Sequence, residues 1–204
     1  MSYKYKVVAL MGKAGAGKDR LLVEIMKIVD KNWFKKIINC TTRPIREHEI
    51  NGVNYYYLTN EEFTDKVLEG DMIEAAEFNN WFYGTMLSTL DIDKINIGVF
   101  NPTAVEILQD DHRLNVLAIY IEAPDKIRLL RQLNREDEPD CHEIVRRFKA
   151  DEEDFSDDRI LDGIQPAFGI LNDGTIELEV LAHIIVNSIK WEFYGGSSAE
   201  DKAD

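Results

Sequence analysis

One glycine-rich octapeptide, Gly12 to Asp19 (GKAGAGKD), restricts what this chain can fold into more than any other stretch. It matches G-x-x-x-x-G-K with the second glycine and the lysine in register. Before it lies Tyr5 to Met11 (YKVVALM), a short apolar run with β-forming residues. After it comes Arg20 to Val29, where Leu21, Leu22, Ile25, Ile28 and Val29 recur at helical spacing. Strand, glycine loop and helix in that order make an anion cradle. Gly12, Gly15 and Gly17 let the backbone bend so that successive N–H groups face one point, and the helix N-terminus adds favourable potential there. The backbone of Gly12, Lys13, Ala14, Gly15, Ala16 and Gly17, with Lys18 bridging the β- and γ-phosphates, is the predicted seat of ATP. A plain glycine-rich turn with a solvated lysine is the competing reading, and the coincidence of strand, motif and helix argues against it. Asp19 stands where Ser or Thr normally offers a hydroxyl to Mg²⁺. A carboxylate there can ligate the ion while adding negative charge beside the phosphates, so Asp19 is the predicted Mg²⁺ ligand.

The 204 residues fit one domain. A net charge of −14 repels a polyanion over most of the surface, so a nucleic-acid partner is not expected and any phosphate site must be local. No membrane span or secretion signal is expected, because Gly12, Lys13, Lys18, Asp19 and Arg20 break the first apolar stretch. Cys40 and Cys141 lie far apart, which suits reduced thiols in a cytoplasmic protein. The four histidines, His48, His112, His142 and His183, have no ligand spacing.

Further along, Lys36 to Cys40, Tyr55 to Leu58, Met72 to Phe78, Trp81 to Tyr83, Ile95 to Phe100, Val116 to Ile121 and Phe168 to Leu171 read as strands. Asn60 to Leu68, with Asn60 as its cap, Pro102 to Gln109, Ala123 to Asn134, Cys141 to Asp154 and Glu177 to Trp191 read as helices. The alternation predicts an α/β fold, a parallel sheet flanked by helices, with a strand-rich insertion. The expected division is a single domain over 1–192. Its core is 1–40 and 95–192, its insertion 41–94 and its helical lid about 131–147, and a disordered tail occupies 193–204.

Residues 39 to 85 resemble the acceptor region of the guanylate kinase family. Thr41, Thr42, Arg43, Arg46, Glu49, Gly52 and Tyr55 meet its T-T-R-x-x-R-x-x-E-x-x-G-x-x-Y signature, followed by I-E-x-A at Ile73 to Ala76 and Y-G-[ST] at Tyr83 to Thr85. The resemblance implies a P-loop kinase that moves the γ-phosphoryl group of ATP to GMP or dGMP, as a monomer or homodimer. Arg43, Arg46, Tyr55 and Tyr83 then clamp the monophosphate, which suits guanidinium forks and phenol O–H groups. Glu74 reads guanine, since a carboxylate accepts both N1–H and N2–H, and Asn39 and Thr85 lie near the base. Arg131, Arg135 and Arg147 correspond to the basic residues of the lid and its adjoining helix, and Asn172 to a position beside the donor adenine. Lys18, Arg43, Arg135 and Arg147 are the implied catalytic set. Singly, each of these has a plainer reading: solvated arginines, a strand tyrosine, or lid arginines paired with Glu136, Glu138, Glu143 or Asp151.

The chain departs from the family at Ile97 to Pro102 (IGVFNP), where Val99 and Asn101 replace two aspartates. Loss of these carboxylates with gain of Asp19 leaves two other readings open. One is a phage-type deoxynucleoside monophosphate kinase of wider base range. The other is a non-catalytic module that binds a phosphorylated protein, against which the intact phosphate loop argues.

Overall fold

The computed structural model describes residues 5–78, 80–135 and 137–195, the side chain of residue 78 excepted. Among these, nine strands and six α-helices follow one another: β1 (Tyr5–Met11), α1 (Lys18–Ile28), β2 (Phe34–Lys36), β3 (Cys40–Thr41), β4 (Tyr56–Tyr57), α2 (Asn60–Leu68), β5 (Met72–Phe78), β6 (Trp81–Met86), β7 (Ile95–Val99), α3 (Pro102–Asp110), β8 (Leu114–Glu122), α4 (Asp125–Leu133), α5 (Cys141–Asp154), β9 (Phe168–Leu171) and α6 (Leu178–Tyr194). A π-helical segment, Asp158–Ile164, links α5 to β9.

β1 is central. The main sheet has the order β2-β7-β1-β8-β9 and every pairing in it is parallel. Val7 to Met11 are buried without interruption because helices cover both faces of this sheet. Alternation divides them: Val8 and Leu10 pack with Leu21 and Ile25 of α1 and Leu181, Ile185 and Ile189 of α6. Val7, Ala9 and Met11 pack with Val105 and Leu108 of α3 and with Ile160 and Ile164 of the π-helical segment. A second, mixed sheet of order β4-β3-β6-β5 is built from residues between β2 and β7 and carries α2.

Three sequence expectations are corrected. The apolar run Lys36 to Cys40 is not one strand: Phe34–Lys36 pairs with β7 in the main sheet, while Cys40–Thr41 pairs with β4 and β6 in the second. Asn60 does not cap α2; the Thr59 hydroxyl accepts from Glu62 N–H while the Glu62 carboxylate accepts from Thr59 N–H. The tail does not begin at 193, since α6 continues through Tyr194, whose ring meets Trp33 edge-on at 6.3 Å. Residues 196–204, the remainder of the expected tail, lie outside the described residues, as does Glu136.

The reciprocal bonds at Thr59 hold the helix that backs the second sheet. Thr59→Ala is expected to cost about 1 kcal/mol, read by chemical denaturation, whereas Asn60→Ala should cost far less.

Candidate active site

The β1–β8 ladder ends at Met11 opposite Tyr120, so the loop that follows crosses the end of β8. Gly12 has φ +153°, and a side chain there would run into the Ile121 carbonyl. Gly15, at φ +80°, lies so close to α4 that a Cβ would stand 2.5 Å from the Arg128 carbonyl oxygen. Both positions therefore require glycine. α1 opens at Lys18 with Gly17 as a cap that has no side chain, so its first-turn N–H groups remain directed at the loop's concavity. Lys18 Nζ donates to Gly12 O at 2.6 Å and Lys13 O at 3.1 Å, which keeps the ammonium over the loop. Burial pushes its pKa down, and nearby Asp19 and Asp151 push it back up.

The loop is gripped from outside by side chains of α4, α5 and the turn after β9. Arg131 donates to Gly15 O and Ala16 O, each at 3.3 Å, and to Asn172 Oδ1 at 3.3 Å. Asn172 is buried and donates to Ala16 O at 2.8 Å, so its side-chain bonds go to the loop backbone and Arg131. Ala14 N–H donates to Asp151 Oδ2 at 2.8 Å, and Lys13 pairs with Glu152 at 2.8 Å. The other arginines expected in a lid are apart from this set. Arg147 donates to Glu143 at 2.6 Å and Arg146 binds Glu143 through two bonds, holding that carboxyl down at about 2. Arg135 and Arg147 share a small cleft of 210 Å³ with Gln132 and Asp140.

In the second sheet, Glu74 of β5 lies opposite Thr85 of β6, next to an irregularity in the ladder. The Thr85 hydroxyl is fully buried, donates to Glu74 Oε1 at 2.7 Å and lies 3.3 Å from Asn39 Oδ1. Asn39, Glu74 and Thr85 thus converge on one wall. Burial raises the Glu74 pKa and the Thr85 hydrogen bond opposes that rise. Arg43 and Glu49 form a two-bond ion pair at 2.8 and 3.0 Å, which raises the arginine's pKa and lowers the glutamate's to about 2. The Arg43 guanidinium sits 5.7 Å from the ring centres of Tyr55 and Tyr57, and Tyr83 meets Tyr55 edge-on at 6.1 Å. Arg46 contributes its backbone N–H to Glu49 while its side chain is exposed.

A cleft of 360 Å³ joins the two halves, lined by Asp19, Met26, Lys36, Asn39, Tyr55 and Val99 among others. A larger cavity of 420 Å³ beside Tyr120, Glu122 and Asp157 contains none of the predicted site residues, so the chemistry is assigned to the smaller one. Asn101 Oδ1 accepts the Ala104 N–H at 2.8 Å as the cap of α3, so its oxygen is committed to that helix. Among the described residues no three Asp, Glu, His or Cys side chains gather as a metal site.

The family model described as "Guanylate kinase" matches residues 4–164. The chain belongs to the guanylate kinase family. It is 30% identical over 190 residues to "Guanylate kinase" of Streptococcus mutans, covering 91% of this chain and 87% of the relative. It is also 30% identical over 151 residues to that of Malacoplasma penetrans, covering 72% and 76%. The solved guanylate kinase of Anaplasma phagocytophilum shares the fold with a TM-score of 0.59 at 21% identity, over 93% of this chain and 87% of that one. No helix among the described residues is long and apolar enough to cross a membrane.

Within this guanylate kinase fold the sequence pointed to Lys18, Arg131, Asn172, Glu74 and Arg43, but missed two groups. Tyr57 reads as one of three consecutive tyrosines, with no local sign that its ring backs Arg43. Arg128 is only 1% exposed, and its spacing does not separate it from Arg131 one turn on.

The raised Glu74 pKa has a sign that can be checked. The fold favours the neutral acid, so this group's contribution to stability is present at low pH and is lost as pH rises from the ordinary carboxylate value of 4.5 through the raised one. Wild type should therefore lose stability relative to Glu74→Gln as pH rises above the ordinary value of 4.5, measured by urea unfolding at a series of pH values. A constant difference would show an ordinary carboxyl.

Proposed function

We propose that this chain transfers the γ-phosphoryl group of ATP to GMP or dGMP. The observation that carries the reading is the half-buried Glu74 carboxyl, held by the Thr85 hydroxyl, which also lies beside Asn39, a residue that lines the cleft reaching Asp19. A carboxylate there accepts from guanine N1–H and N2–H, whereas adenine offers an acceptor at N1 and leaves the carboxylate unpaired. Glu49 and the Pro44 carbonyl fix the plane of Arg43, which can then receive a monophosphate with its remaining donors, the rings of Tyr55 and Tyr83 beside it. Lys18 and the α1 N-terminus hold the β- and γ-phosphates.

An acceptor phosphate oxygen forms the new bond to the γ-phosphorus as the bond from that phosphorus to the β–γ bridging oxygen breaks, and ADP departs with the electron pair. The attacking group is already an anion, so the protein's work is positioning and charge neutralisation. Arg131 and the lid arginines Arg135 and Arg147 add positive charge when the lid closes over the donor. Asp19, at the cleft beside the loop, is a fitting ligand for Mg²⁺, which takes one or two protein oxygens and completes its shell with water and phosphate. When bound, the ion neutralises the β- and γ-oxygens. The absence of carboxylates at Val99 and Asn101 favours a second reading, nucleotide binding with little transfer.

A coupled ADP-release assay with ATP, Mg²⁺ and each common monophosphate decides between them. GMP or dGMP should be the best acceptor, and equal turnover of CMP, UMP and GMP would refute the base assignment. Arg43→Ala should raise the acceptor KM while leaving ATP affinity near wild type. Lys18→Ala should mainly abolish transfer, by about 10²-fold or more in kcat. Isothermal titration should show nucleotide affinity depending less steeply on Mg²⁺ in Asp19→Ser than in wild type.

A further inference from the structure

Arg128 is the largest side chain that is less than 2% exposed among the described residues, yet it carries a full charge. Its NH1 donates to Asp151 Oδ2 at 3.0 Å and to the Ala14 carbonyl at 3.2 Å, and its NH2 donates to Asp125 Oδ1 at 2.8 Å. The guanidinium lies 4.5 Å from the centre of the Phe148 ring, and Nε, buried, has no hydrogen-bond partner. Asp151 Oδ2 in turn accepts the Ala14 N–H. One residue of the phosphate loop is thus held on its N–H by a carboxylate and on its C=O by the cation paired with that carboxylate. The groups come from the two helices on either side of the lid.

This arrangement places a negative charge against the loop that receives the triphosphate. Asp151 is near enough to Lys18 for the two to influence each other's ionisation, and burial works against its charged form while Ala14 N–H, Arg128 and Lys18 support it. A neutral acceptor such as a backbone carbonyl could also hold the Ala14 N–H. The carboxylate is compatible with an anionic substrate only if its charge is cancelled locally, and a fully buried guanidinium does this with little solvent screening. The other charges beside the pair are Glu152, whose Oε1 binds Lys13 at 2.8 Å and lies 3.8 Å from the Arg128 guanidinium, and the exposed Asp125, 2.8 Å from it.

We propose that Arg128 is a positioning residue of the donor site: it fixes the Ala14 peptide of the phosphate loop and neutralises Asp151, so that a carboxylate bracing the loop does not repel the triphosphate. The proposal rests on the reading that ATP binds at this loop. It has a signature that a merely structural pair lacks, because removing the two partners moves triphosphate affinity in opposite directions. Arg128→Gln leaves Asp151 uncompensated and weakens binding. Asp151→Asn keeps an oxygen for the Ala14 N–H but frees the Arg128 charge, and strengthens binding.

The test is titration of the full chain with a non-hydrolysable ATP analogue, with thermal melts to verify folding and KM values for ATP and GMP measured separately. Arg128→Gln should bind the analogue about tenfold more weakly, Arg128→Lys within about threefold of wild type, and Asp151→Asn more tightly than wild type. Only the KM for ATP should move with these changes. Losses of the same sign in Arg128→Gln and Asp151→Asn, or equal losses in Arg128→Gln and Arg128→Lys, would overturn the proposal while leaving the kinase reading intact. If Asp151→Asn does not fold, the glutamine and lysine variants decide by themselves. A wild-type chain that binds no triphosphate would overturn both readings.

Discussion

The parallel ladder between β1 and β8 brings the phosphate loop to the one place where α4, α5 and the turn at Asn172 all reach it. Because Gly12 passes directly beneath the Ile121 carbonyl, the height of the loop above the sheet is set by strand register, not by loop contacts. Each further contact presupposes that height. Arg131 and Asn172 reach Ala16 O only because β9 pairs with β8 in a register that ends at Leu171, one residue before Asn172. A glycine-rich segment, which has the greatest conformational freedom to lose on folding, is thereby confined with few side chains of its own, Lys13, Lys18 and the core-packed Ala16.

Positive charge in this acidic chain is handled by a recurring device. Arg43 is held by Glu49, Arg128 by Asp151 and Arg147 by Glu143. The partners differ in burial and therefore in consequence. The Arg147–Glu143 pair is open to water and weakly worth keeping, so Arg147 can be released from it at little cost. The Arg43–Glu49 pair is more enclosed and has fixed two-bond geometry, so it orients rather than restrains. The Arg128–Asp151 pair is sealed, and there the carboxylate is part of the loop's own support. One ion-pair chemistry thus gives a movable, an oriented and a permanent cation at successive depths.

Periodicity and the glycine motif were enough to locate the strand–loop–helix unit and the helices Asn60–Leu68 and Cys141–Asp154, because those segments have a single environment along their length. The run from Lys36 to Cys40 failed because its middle crosses from one sheet to another, and continuous hydrophobicity cannot show a change of partner. The π-helical segment Asp158–Ile164 left no periodic trace, and its two core residues, Ile160 and Ile164, are four apart as in an α-helix. At the candidate site, arginine, tyrosine and glycine could be singled out from the sequence because they carry their chemistry in their identity. Arg128 was not, since nothing local separates a helical arginine that is buried from one that is solvated.

The second sheet is thin. β3 and β4 are two residues each, and the buried cluster beneath it consists of Cys40, Phe63 and Met86. The main sheet has two extensive apolar layers, so opening free energy cannot be uniform across the molecule. Amide protons of β3, β4 and β6 should exchange with solvent through a sub-global opening that leaves β1, β7 and β8 closed. On the proposed assignment of Arg43 and Glu74, acceptor recognition resides in a cooperative unit separate from the one that carries the phosphate loop, and a bound nucleoside monophosphate would protect that unit from exchange far more than the rest of the chain.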